Sequence, residues 1–293
     1  MLATAQANLV AELLSRFNPE YNFDLVKITT AGDLDNQSPL PEIGGAGVFT
    51  KKIEQELIIG TIDIAVHSAK DLPSVMTNGL IIGAVPKRAA AEDIWIARNG
   101  KKLTEIEPGS VVGTSSPRRR AMLFNFRPDL KVKDIRGNVQ TRLRKLDDGE
   151  YDAIIMAYAG LIRCGLAAKI TEILPYDIFL PAPGQGALAI QIRSHDIKIT
   201  NLVKPIDDAD SHRCLDLERQ LLFKLNAGCS AAVGGLATIE NAILTLQVTV
   251  LDKSGLKRLH SIGRSKSEKD DFRLVDDVVN ELCSQGAKEL IER

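Results

Sequence analysis

The 293-residue sequence holds four cysteines, none in a C-x-x-C pair, which argues against a disulfide framework and fits a reducing compartment. Its four histidines, His67, His195, His212 and His260, are scattered without metal-ligand spacing, so no metal site is expected. Aromatic residues amount to 4% of the chain and no DNA or RNA motif is present, which makes nucleic acid a poor partner. Neither sign of charge dominates, with 37 Lys and Arg against 38 Asp and Glu, and net charge therefore implies neither a membrane surface nor a polyanion. No apolar run reaches the length of a spanning helix, and the N-terminus lacks the basic-then-apolar layout of a secretion signal. The expectation is a cytoplasmic protein without a membrane partner.

What is present is alternation. Leu9, Leu13, Leu14 and Phe17 fall at helical spacing, and F-D-L-V-K-I-T-T (Phe23 to Thr30) reads as a strand. After a Gly/Pro-rich loop from Gly32 to Gly47 comes a helix-like stretch, Lys51 to Leu57, and then strand signals at Ile62 to Val66, Ile94 to Ala97, Ser110 to Gly113, Val132 to Ile135 and Ala153 to Met156. Helix-like segments separate the last three. This pattern reads as α/β, most simply two doubly wound units with parallel strands joined near Val85-Pro86. The crossing L-P-A-P-G-Q-G (Leu180 to Gly186) precedes a strand, Ala187 to Ile192, placed to return the chain to the first unit. A helix from Ala209 to Leu225, three strand-like runs (Val233 to Thr238, Ala242 to Leu251, Leu256 to Ile262) and a closing helix marked by Leu274, Val278 and Leu282 describe a small C-terminal α+β domain with an antiparallel three-stranded sheet. The division expected is 1–86 with 187–204, then 87–186, then 205–293.

Chemistry concentrates in three places. Cys229, in L-N-A-G-C-S, lies between helix and strand signals on an expected turn, where a thiol is presented and either attacks something or carries something. G-T-S-S-P-R-R-R (Gly113 to Arg120) leaves a strand and opens a helix with Ser116 as N-cap and Pro117 in first position. The free N–H groups of that helix start, with Arg118 and Arg119, suit a carboxylate or phosphate. I-R-G-N-V-Q-T-R (Ile135 to Arg142) repeats the design with Arg136 and Arg142; from Arg118 to Lys145 there are ten basic residues and two acidic ones. Charge alone leaves a solvated basic face and a small-polyanion cleft equally open, and the strand-to-helix placement favours the cleft. Opposite these, D-I-A-V-H-S-A-K-D-L-P (Asp63 to Pro73) sets Ser68, Lys70 and Asp71 just past a strand end. Asp71 is either a turn residue or a carboxylate that stabilises a developing cation and handles its proton. His67 reads as structural, Cys164 and Cys214 as packing residues, and Cys283 as part of the stripe of Val275 and Val279.

These segments, with A-x-A-Q-A at Ala3 to Ala7, A-G-L-I-R at Ala159 to Arg163, L-P-A-P-G-Q-G-A and L-N-A-G-C, occur in one order over nearly the whole chain. In that order and spacing the sequence resembles the hydroxymethylbilane synthases, also called porphobilinogen deaminases. The resemblance implies two domains like those of two-lobed periplasmic binding proteins plus a third, a monomer, and a transferase that joins four porphobilinogen molecules with loss of ammonia into linear hydroxymethylbilane. It implies a dipyrromethane cofactor tethered by a thioether to Cys229, so that the sulfur is an anchor and not a recurring nucleophile. It assigns Asp71 as the catalytic carboxylate; Lys70, Ser116, Arg118, Arg119 and Arg136 to the cofactor; and Arg142, Arg163, Ser68 and Gln185 to substrate. Family members carry a short strand and G-T-R-x-S ahead of the A-x-A-Q-A helix, and a coding start upstream of Met1 is expected on that account, the alternative being an N-terminally truncated, inactive form of the enzyme. Ala46 stands where many relatives have lysine, and Ala232 where a proline is common. The competing class from the residues is a two-lobed protein that captures a carboxylate ligand without chemistry, for which Cys229 and a third domain have no use.

Overall fold

The computed structural model describes residues 2–29, 50–228 and 231–292. Helix α1 (Leu2–Phe17) and helix α2 (Lys51–Ile59) precede strand β1 (Ala65–Ser68), which runs straight into a short 3-10 turn over Ala69–Asp71. Strands β2 (Leu80–Ala84), β3 (Asp93–Ala97) and β4 (Val111–Gly113) follow, then α3 (Pro117–Phe126), β5 (Lys131–Lys133), α4 (Val139–Asp147), β6 (Ala153–Ala157), α5 (Tyr158–Arg163) and β7 (Glu172–Ile173). The chain continues through β8 (Leu188–Arg193), α6 (Ile197–Val203), α7 (Ala209–Lys224), β9 (Ala232–Glu240), β10 (Ile243–Leu251), β11 (Arg258–Ser265), α8 (Asp271–Ser284) and α9 (Ala287–Glu292). It is a mixed α/β protein whose C-terminal part is the expected antiparallel three-stranded sheet with helices.

Three sheets result, with orders β1-β8-β2, β5-β4-β6-β3-β7 and β11-β10-β9. The all-parallel expectation for the first two holds only for β5-β4-β6. In the first sheet β8 runs antiparallel to both β1 and β2, and in the second β3 runs antiparallel to β6 and β7. The cause is the pair of crossings between the sheets. A strand that arrives from the other sheet starts where the resident strands end: Leu188 pairs with Ser68, and Asp93 pairs with Ala157. The return of Leu188–Arg193 to the first sheet is as expected.

Helix α1 is rotated from the face its leucines suggest. Gln6, Val10 and Leu14 are buried, while Leu9 is 38% and Phe17 57% exposed. Gln6 Nε2 donates to Ser68 Oγ at 2.7 Å, and that polar anchor, with Val10 and Leu14 packed into the cluster of Ile190, Ile192 and Val203, sets the rotation. The strand expected over Phe23 to Thr30 is not formed in its described part: residues 21–29 have no ladder partner, and Leu25 and Val26 are half exposed or more. Strand propensity without a neighbour to pair with does not make a strand. The Gly/Pro-rich loop and Ala46 lie outside the described residues.

The third sheet packs one face on α7 and α8 around Leu246, Val248, Val275 and Leu282. Its other face shares a core with the second sheet, in which Ala232, Leu236 and Leu251 meet Trp95, Met122 and Phe179. Gly235 N–H donates to Pro181 O at 2.9 Å, so β9 is bonded directly to the returning crossing. A buried ion pair closes this junction. Glu218 on α7 accepts both hands of Arg88, at 2.6 and 3.1 Å, and the N–H of Ala237 at 2.8 Å, with a further short bond from Gly184 N–H. Arg88 lies on the outgoing crossing and also donates to Gln185 O at 2.9 Å. A fully buried carboxylate is tolerable because every acceptor position is filled, and removing one partner strands the other. Glu218→Ala is expected to lower unfolding free energy by about 3–5 kcal/mol in urea titrations; a loss of under about 1 kcal/mol would mean the junction does not depend on the pair.

Candidate functional site

Four chain segments converge at the strand ends. From the first sheet, β1 delivers Ser68 and the turn carrying Lys70 and Asp71. From the second, β4 delivers Thr114, Ser115 and Ser116 at the start of α3; β5 leads to Arg136 and the start of α4; and β6 leads to α5, which ends at Arg163. The local sequence explains both helix starts. Ser116 Oγ accepts from Arg119 N–H at 3.4 Å with Pro117 in first position, and Asn138 Oδ1 accepts from Thr141 N–H at 3.0 Å. Ser115 ties the two loops together, donating to Ile135 O at 2.9 Å and accepting from Ile135 N–H at 3.0 Å. The unpaired N–H groups of two helix starts therefore face the same space.

The returning crossing lies close beneath Lys70. Gly184 has φ +77°, and a Cβ there would stand 2.8 Å from Lys70 N. Glycine at this position lets the backbone of one crossing lie against the turn that carries Lys70 and Asp71.

The arginines divide into two sets. Arg118 and Arg119 are buried and share Asp93, the fully buried first residue of β3. Arg118 Nη1 donates to Asp93 Oδ2 and to Leu180 O, each at 2.7 Å. Arg119 donates to Asp93 Oδ1 through Nε at 3.0 Å and Nη2 at 2.8 Å, and to Ile155 O through Nη1 at 3.1 Å. Burial works to raise the Asp93 carboxyl, but Arg118 and then Arg119 more than reverse it, holding it well below the usual carboxylate range. Arg136, Arg142 and Arg163 are half-buried and carry no ion pair among the described residues. Arg142 Nε donates to Gly137 O and Arg163 Nη2 to Gly186 O, each at 2.7 Å. Burial, with Arg119 and Arg136 nearby, pushes the Arg142 guanidinium down to about 10, and burial alone lowers Arg163. Cations clustered in this way without matching anions describe a space prepared for an anionic ligand.

Lys70 and Asp71 face this set from the first sheet. The walls of the cleft push the Lys70 ammonium down to about 8, Asp71 opposing the shift and Arg119 adding to it. Its side chain keeps a surface open to the cleft, so solvent moderates the depression, and a bound carboxylate opposes it by favouring the charged ammonium. Asp71 is exposed, and its charge reaches His67, Lys70 and, across the cleft, Arg142.

The sequence-derived residues are placed as follows. Ser68, Lys70, Asp71, Ser116, Arg119, Arg136, Arg142 and Arg163 all belong to the converging segments. Gln185 and Arg118 are turned inward: Gln185 is 1% exposed with its amide bonded to Ala91 O and Asp93. Cys229 lies outside the described residues, between Gly228, at the end of the segment that follows α7, and Ala231, which leads into β9; Ala231 N–H donates to Gly228 O at 3.1 Å. His67 is buried against Gln191 at 3.0 Å, in keeping with a structural role, and Cys214 is a packing residue. Two residues were missed. Asp93 gave one signal, a charge at the head of the otherwise apolar D-I-W-I-A; Gln6 was visible only as part of A-x-A-Q-A.

The fold and the charged cleft thus define a two-sheet α/β protein with a cationic cleft between its sheets, suited to an anionic ligand, and a third unit packed against the crossings. Comparison with known proteins agrees with this class and narrows it. The family profile described as porphobilinogen deaminase, dipyromethane cofactor binding domain, matches residues 1–201, and that of the porphobilinogen deaminase C-terminal domain matches residues 212–284. The porphobilinogen deaminase of Brevibacillus brevis is 41% identical over 291 residues, covering 99% of this chain and 93% of its own, and that of Bacillus mycoides is 42% identical over 292 residues, covering 99% and 94%. The chain belongs to the porphobilinogen deaminase family. Among solved structures, an ancestral cationic amino acid solute binding protein has a TM-score of 0.40 at 14% identity, covering 74% of this chain and 79% of its own.

The lysine gives a pH test. A carboxylate bonds the charged ammonium, so affinity is greatest below about 8 and falls as pH rises through that value. Calorimetric titration with benzene-1,3,5-tricarboxylate is expected to weaken from pH 7 to pH 9, and Lys70→Arg to flatten that dependence because a guanidinium stays charged. An equal pH slope in the two proteins would remove Lys70 from the ligand's contacts.

Proposed function

We propose that this protein is a hydroxymethylbilane synthase, joining four porphobilinogen molecules head to tail with release of ammonia, as a monomer in the cytoplasm. One observation carries the reading at the level of chemistry: Asp71 stands on one wall of a cleft whose other wall presents Arg119, Arg136 and Arg142 without enough anions to balance them. The expected division at 1–86 with 187–204, 87–186 and 205–293 belongs to the same proposal, each wall being one unit and the third carrying the anchor.

The donor set fits a dipyrromethane bearing several carboxylates. Arg118 Nε is buried without a hydrogen-bond partner, and the helix start at Ser116, Arg119, Arg136 and Lys70 would supply the remaining donors, with Cys229 as the point of attachment. When bound, that group would supply a pyrrole carbon at which substrate units are added. The protein's own residues have three tasks. Arg142, Arg163 and Ser68 bind and orient the substrate's acetate and propionate, where a guanidinium fork fixes a carboxylate in plane better than an ammonium does. Asp71 stabilises positive charge at the substrate's pyrrole nitrogen and moves the proton that the departing amine requires. The closely packed crossings hold the two walls at a fixed separation. Gln185 is assigned to support of these contacts because of its burial, whereas Arg118 is held through Nη1 and keeps Nε for the cofactor.

The test is Asp71→Asn, which preserves size and removes the charge. Porphobilinogen consumption is expected to fall by at least about a hundredfold while circular dichroism and tricarboxylate binding stay near wild type. Retention of most of the turnover would reject Asp71 as the catalytic carboxylate.

A further inference from the structure

Between the two walls lies a hydrogen-bonded chain whose centre, Gln185 and Asp93, is buried and whose Lys70 end opens to the cleft. Gln185, on the returning crossing, donates its amide to Ala91 O at 2.7 Å and to Asp93 Oδ1 at 2.8 Å, both on the outgoing side. Its Oε1 accepts from Arg119 Nη2 and from Lys70 Nζ, each at 3.4 Å. Asp93 Oδ1 in turn takes two donors of Arg119, and Oδ2 takes Arg118. One amide and one carboxylate thus connect a cation of the first sheet with two cations of the second.

We infer that Asp93 and Gln185 are positioning residues for the ligand-binding cations, fixing the aim of Arg119 and the seat of Lys70 from beneath the cleft. The argument is one of donors and charges. Arg119 spends Nε and Nη2 on Asp93 and Gln185 and one Nη1 hydrogen on Ile155 O; its Nη1 edge is the part left for a ligand. Without Asp93, two adjacent buried guanidiniums would face each other uncompensated, and one would swing toward solvent. Gln185 suits the hub because an amide can accept from two cations and donate to an anion and a carbonyl at once, which neither a carboxylate nor an ammonium can do. Glutamate there would repel Asp93, and lysine would repel Lys70 and Arg119. The charged groups that Lys70 meets are Asp71 on its own turn, Arg118 and Arg119 on α3, and Asp93 on β3.

The inference rests on the proposed function for the identity of the ligand, and the test separates the two. The protein is reductively 13C-methylated, and the Lys70 resonance, assigned by its loss in Lys70→Arg, is titrated by NMR. Benzene-1,3,5-tricarboxylate binding and porphobilinogen turnover are measured alongside. Asp93→Asn and Gln185→Leu are each expected to move the Lys70 midpoint down by on the order of half a pH unit or more and to weaken the tricarboxylate about tenfold. Arg119→Gln is expected to move the midpoint up, and the exposed control Asp134→Asn to leave it in place. A purely structural role would lower stability and leave the midpoint unmoved. An unchanged Lys70 midpoint in both Asp93→Asn and Gln185→Leu, with wild-type circular dichroism, would overturn the inference; if Asp93→Asn does not fold, Gln185→Leu alone decides. Tricarboxylate binding without porphobilinogen turnover in the wild type would instead reject the functional reading and leave this one testable.

Discussion

One buried carboxylate, Asp93, is shared by two buried guanidiniums, and the cleft depends on that imbalance. Taking three charges out of water is unfavourable unless each is bonded. Here Asp93 is bonded by Arg118, Arg119 and Gln185 together. The net positive charge that remains cannot be neutralised from within, and Arg136, Arg142 and Arg163 add to it from the neighbouring segments. A ligand with several carboxylates would complete the electrostatics that the protein leaves incomplete. A growing polypyrrole chain, whose anionic charge rises with each unit, is the kind of occupant such a surface would retain.

The architecture serves the same end. Two crossings run side by side between the sheets, and bonds that join the sheets to each other and to the third unit pass through them: Arg88 to Glu218, Gln185 to Ala91 and Asp93, and Gly235 to Pro181. The third unit is held against these crossings by a shared apolar core and a buried ion pair, not by a loose tether. The backbone entering β9, beside Cys229 in sequence, is therefore fixed relative to Lys70 and Asp71.

Much of the site was legible from local signals. Ser116 followed by Pro117 is a local helix-start signal, and the strand, glycine and helix around Arg136 repeat the design, so Arg119, Arg136 and Arg142 could be placed at strand-to-helix junctions from sequence. Lys70 and Asp71 followed from a short buried strand with polar residues at its end. What sequence did not disclose depends on distant neighbours. The direction of β3 and β8 is set by the crossings, and the rotation of α1 is set by the bond from Gln6 to Ser68, which are 62 residues apart. Gln185 sits among glycines and prolines and was assigned to substrate only through the resemblance; the meeting of two crossings buries it. Asp93 has no local motif, and its importance appears once both arginines are seen to converge on it.

The central claim is that this cleft holds a covalently anchored polycarboxylate pyrrole opposite Asp71. Intact-protein mass spectrometry of freshly purified protein, followed by peptide mapping, tests it most directly. The account requires a mass increment of a dipyrromethane on the peptide containing Cys229, lost in Cys229→Ser; an unmodified Cys229 in protein that consumes porphobilinogen would contradict it.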